Sequence, residues 1–131
     1  MGLFGSPLAD IACFLFFCCS RRELDHLDDL LKLYHEEVSS NLKQLGSQPE
    51  KCLPWKACQE SFKRYTPMAL VGMPQAAKLS CQVQLDKTYD LAEAAEEGNF
   101  CKIFDGELRD PEEYFNRINS IFELCIEKGL L

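Results

Sequence analysis

Gly5-Ser6-Pro7-Leu8-Ala9-Asp10-Ile11-Ala12-Cys13-Phe14-Leu15 opens a run that stays almost unbroken in apolar residues as far as Cys19. Ser6 has the side chain to cap a helix. Pro7 suits the first helical position, where its missing N–H is no loss. The segment therefore predicts a helix that is apolar nearly all round, and such a helix has to be buried by something. Asp10 is the one charge within it, and burying a carboxylate without a partner is costly. Two readings of Asp10 stand side by side. It accepts hydrogen bonds from another segment, or it sits exposed near the helix start, where the helix dipole favours an anion.

Reading outward, Ser20-Arg21-Arg22-Glu23 has the form of a capping box. Leu24, Leu27, Leu30, Leu31, Tyr34, Val38, Leu42 and Leu45 follow at helical spacing. Gly46 supplies a left-handed stop, so one helix is predicted from Ser20 to Gly46. Pro54 opens a third helix with Trp55, Cys58, Phe62 and Tyr65 on one side. Pro67 should kink or break it, and Pro74 should interrupt it again before the pattern resumes over 75–85. A short helix is expected from Asp86 or Thr88 to Gly98. Asp110-Pro111 then starts a final helix, with Glu113 completing a box. Its predicted buried stripe is Tyr114, Phe115, Ile118, Ile121, Phe122, Cys125 and Ile126. No alternating segment is long enough to argue for a sheet. The expected fold is all-α, an irregular bundle of about five helices forming a single helical domain over residues 1–131.

Gly5-Ser6-Pro7 followed by Asp10-Ile11-Ala12 resembles a segment of the choline-kinase-like and aminoglycoside-phosphotransferase-like enzymes. The closer similarity is to their ecdysteroid-kinase-like (CHK kinase-like) branch, of the nematode and insect type. Asp29-Leu30-Leu31-Lys32-Leu33-Tyr34-His35-Glu36 and Phe62-Lys63-Arg64-Tyr65-Thr66-Pro67-Met68-Ala69-Leu70 resemble the next two helices of that branch. The resemblance implies the C-terminal lobe of a protein-kinase-like fold, in which 55–85 would form a long, bent helix. It also implies an activity for full-length relatives: phosphoryl transfer from ATP, with Mg²⁺, to a small alcohol. In those relatives the nucleotide-binding lobe, the His-x-Asp catalytic loop and the metal-binding Asp precede this segment, and none of them has a counterpart in this sequence. The expectation is therefore a partial kinase-like lobe with no catalytic, cofactor-binding or metal-binding residues of its own. The resemblance gives Asp10 a supporting role, holding the catalytic loop in shape. It makes Tyr34, Trp55, Phe62 and Tyr65 candidates for a wall around the acceptor substrate, with core packing as the competing role.

The formal net charge of −7 and a sequence pI near 4.8 argue against nucleic acid as a partner and disfavour simple attachment to anionic membranes. The acidic residues are spread over helix faces, as a solvated surface requires. Eight cysteines occur without a Cys-x-x-Cys or zinc-finger spacing, so they read as reduced thiols in a cytoplasmic protein, packed as small hydrophobes. The apolar run lacks a basic leader. It is also too short to cross a bilayer, which takes about twenty residues. Met1-Gly2-Leu3-Phe4-Gly5-Ser6 fits an N-myristoylation pattern at Gly2, with Cys13, Cys18 and Cys19 as sites for a second lipid. The preferred reading is that this is an accident of where the frame begins.

No phosphate-cradling loop, nucleophile elbow or metal spacing stands out. His26 and His35 read as surface residues. Two functional classes remain. The chain is the helical lobe of a small-molecule kinase, not catalytic alone. Or it is a noncatalytic helical module that binds another protein, or itself, through exposed apolar surface.

Overall fold

The computed structural model describes residues 6–83, Glu96, Gly98 and 106–131. The short helix expected after Thr88 or Asp86, the candidate lipidation site Gly2 and Cys101 lie outside the described residues; Gly98, at the expected end of that helix, has φ +66°.

The described elements are α1 (Pro7–Cys18), α2 (Arg21–Leu24), α3 (Leu27–Gln44), α4 (Pro49–Cys52), α5 (Trp55–Cys81) and α6 (Pro111–Glu127). Among the described residues the only β pairing is an isolated antiparallel bridge between Gln82 and Leu108. The architecture is all-α.

α1 begins as its sequence dictates. The Ser6 side chain accepts from the Leu8 N–H at 3.3 Å, and Pro7 occupies the first turn. Leu8, Ala12, Leu15 and Phe16, spaced four, three and one apart, form its buried face. Full burial contributes about 1.5–3 kcal/mol for each Leu or Phe. That face packs on α5, the most extensive pairing among the described helices. α5 presents Cys58, Phe62, Thr66, Ala69, Leu70, Met73, Ala77 and Cys81 along one stripe. Phe16 and Phe62 meet with ring centroids 6.0 Å apart. α6 adds Ile121, Leu124 and Cys125 to the same core, and α2–α3 add Leu24, Leu27 and Leu31.

Several expectations need correction. The helix predicted from Ser20 to Gly46 is two helices. The capping box at Ser20 is present, but α2 ends at Leu24 and α3 starts at Leu27. α2 packs against α6 while α3 packs against α4 and α5, two directions that one straight helix cannot follow. Asp28 and Asp29 then lie in the first turn of α3, where the dipole favours them. Gly46 ends α3 as expected, at φ +77°, with the Ser47 N–H bonded to the Leu42 carbonyl at 2.9 Å.

Of the kink or break expected at Pro67 and the interruption at Pro74, no break occurs, and a single long helix is present, as the family resemblance implied. α5 runs unbroken through both and stops at Cys81, short of the expected Leu85. Pro67 and Lys63 are both exposed, so the Lys63 carbonyl left without a helical donor is on the solvent side. The opposite face is buried throughout, and tertiary burial outweighs local propensity. Two stripes are also narrower than predicted. Leu45 is 80% exposed because the end of α3 runs past the core. Phe115 and Ile126 on α6 are likewise exposed, while Leu124, outside the predicted stripe, is buried. The buried face of α6 is centred on Ile121 and Cys125.

Candidate functional site

Asp10 lies in the first turn of α1 and is exposed. Its field still reaches inward. Burial pushes the Cys13 thiol above its ordinary pKa, and the Asp10 carboxylate adds to that rise. The Tyr34 phenol is raised by burial first, then by Cys58 and Asp10. Asp10 and Tyr34 are therefore within electrostatic range across α1 and α3.

The other candidate aromatics separate. Phe62 is a core side chain against Phe16 and also borders a cavity of about 350 Å³ with Leu27 and Leu31. Trp55 is half-buried and lines a different cavity, about 280 Å³, with Pro49, Leu53 and Pro54. Tyr65 is half-buried and packs against the core.

Sequence reading missed three side chains. His35, taken as a surface residue, is hydrogen-bonded through Nε2 to the Leu53 carbonyl at 2.8 Å and meets the Trp55 ring edge-on at 5.3 Å. A carbonyl can only accept, so His35 Nε2 is the donor in that bond. Arg21 binds Asp25 at 2.9 Å, the Ser120 carbonyl at 3.0 Å and Glu127, tying α2 to α6. The Asp25 hydrogen bond, with further help from Glu127, raises its pKa. Arg117 Nη2 donates to the Phe17 carbonyl at 2.9 Å, near the open end of α1. No local signal pairs His35 with residues about twenty positions away, or Arg21 with residues about a hundred positions away.

Arg21 and Arg117 also border a cleft of about 860 Å³ between α2 and the start of α6. Glu23, Asp110, Glu112 and Glu113 share its walls. Carboxylates outnumber guanidiniums, Arg21 is already paired and Glu23 is held by Ser20, so the cleft reads as a solvated seam.

Among the described residues, no group of three or more His, Cys, Asp or Glu is arranged to hold a metal ion. No described helix is long and apolar enough to cross a membrane. The seven described cysteines are free; Cys18 and Cys52 are exposed, and Cys58, Cys81 and Cys125 are buried. Burial drives the Cys125 thiol up to about 11, against the opposing effect of Arg21.

Residues 1–47 match the ecdysteroid kinase-like family. The matched stretch covers α1, α2 and α3. This supports a kinase-like origin for that stretch. No curated protein and no solved structure matches the chain.

Proposed function

We propose that this chain is the helical lobe of a kinase-like small-molecule phosphotransferase, supporting the reaction without carrying its chemistry. The match of residues 1–47 to the ecdysteroid kinase-like family carries this reading. The geometry favours a supporting role. α1 is seated on α5 by Leu8, Ala12, Leu15 and Phe16, while Asp10 stays on its outer side. There its carboxylate is free to accept backbone N–H groups from a catalytic loop, acting as a positioning residue. ATP and Mg²⁺ are cofactors of the complete enzymes that the family resemblance implies, where the metal clamps the phosphates during transfer. Calorimetric titration of the 131-residue chain with ATP and Mg²⁺ tests this. We expect no saturable heat, and micromolar saturable binding would overturn the supporting role.

A second reading rests on the exposure of Phe14 at 60% on α1, with Met68 at 51% and Val71 at 75% on α5. Large apolar side chains left outside on the two most tightly paired helices suit a protein partner or a second copy. Sedimentation velocity separates this from the first reading. Concentration-dependent association, weakened by Phe14→Ser, is its expected result, and a monomer at all concentrations counts against it.

A further inference from the structure

Three concave features stand among the described residues: the seam between α2 and α6, the small cavity at Trp55, and the cavity beside Phe62. The seam carries charges of both signs, with four carboxylates against three guanidiniums, and so selects no ligand charge. The Trp55 cavity presents an apolar wall with His35 already bonded to Leu53. The cavity beside Phe62 differs in combining an apolar floor with excess positive charge.

Its floor is Leu27 and Leu31 from α3 and Phe62 from α5, all nearly fully buried. Its rim carries Lys63 from α5, Lys128 just past the end of α6, and Asp28 from α3. Lys128 Nζ lies 3.4 Å from Asp28, with the lysine side chain only 24% exposed. Lys63 makes no ion pair with any described residue. Two ammoniums against one carboxylate leave the rim one positive charge in excess. Gly129, at φ +64°, and Leu130 complete the lining. A volume of about 350 Å³ falls at the lower end of small-molecule sites.

We propose that this cavity binds a small amphipathic monoanion, an apolar body headed by a carboxylate. The body lies on Leu27, Leu31 and Phe62. The carboxylate accepts from Lys63 and from an Lys128 donor not committed to Asp28. The excess rim charge selects against neutral and cationic analogues of the same body.

The test uses the full 131-residue chain and decanoate, below its micelle-forming concentration, as the probe. Amide shift perturbation by NMR and calorimetry should give one saturable site, with shifts centred on Leu27, Leu31, Phe62 and Gly129. Decan-1-ol and decylamine should bind more weakly. Lys63→Met, at an exposed position that leaves the fold intact by circular dichroism, should weaken decanoate about tenfold, the scale of one charge-assisted contact. Absence of saturation overturns the proposal, as do shifts centred on Phe14 or Val71, equal affinity for decan-1-ol, or unchanged affinity in Lys63→Met.

Discussion

Thr66 has no exposed surface, yet its hydroxyl lies inside the apolar contact between α5 and α1. It donates to the Phe62 carbonyl at 3.0 Å, one turn back along its own helix. That carbonyl already accepts from the helix backbone, so removing the hydroxyl orphans nothing. Thr66→Val should therefore change unfolding free energy by no more than about 1 kcal/mol. Phe62→Ala, one turn away, should cost about 3–5 kcal/mol because it empties the space against Phe16. Urea denaturation of both variants measures the contrast. Glu23 gives a pH-dependent counterpart. Hydrogen bonds from the Ser20 side chain and backbone hold its carboxyl below the ordinary range. A depressed folded-state pKa means that its stabilisation is present above the unfolded-state value and fades as pH falls through the folded one. Thermal melts between neutral pH and pH 3 should show wild type losing more than Glu23→Gln. At this scale the caps at Ser6, Ser20 and Asp110 were legible because each is satisfied within three residues. The contacts of Arg21 and Arg117 were not, because charge and spacing say nothing about partners a hundred residues away.

Gly72 decides how closely α1 can lie on α5. A Cβ there would come 2.7 Å from Phe17 Cζ. Alanine at 72 should gain about 1 kcal/mol of helix propensity and lose about 1–3 kcal/mol to overpacking. We expect Gly72→Ala to be net destabilising in the wild-type background. With Phe17→Leu the sign should reverse, and a double-mutant cycle by chemical denaturation reads the coupling. A stabilising Gly72→Ala in the wild-type background would show that Phe17 moves aside freely. Element types were readable from apolar spacing, but element ends and continuity were not. Pro67 and Pro74 signalled a break that burial of the opposite face overrides. The capping box at Ser20 marked a true start, while Asp28 and Asp29, read as a solvated face, begin a second helix. Side-chain caps mark the starts of α1, α2 and α6, whereas α3 and α5 begin without one and the direction each helix takes is set by the neighbour it packs on.

For the whole molecule, the all-α class followed from composition and spacing, and the kinase-like resemblance from the Gly-Ser-Pro and Asp-Ile-Ala segment. The Phe62 cavity was illegible, since it exists only once the start of α3, the middle of α5 and the end of α6 converge. The polar ties that close the molecule share this long reach. Phe17 is held by Arg117, Arg21 by Ser120 and Glu127, and Asp28 by Lys128. During synthesis these early residues must wait for α6 to be translated, roughly 5–20 s later at about 5–20 residues per second. In that interval the faces of α2 and α5 on which α6 packs lie open. A nascent chain halted before Pro111 should therefore be a better chaperone client than the finished one.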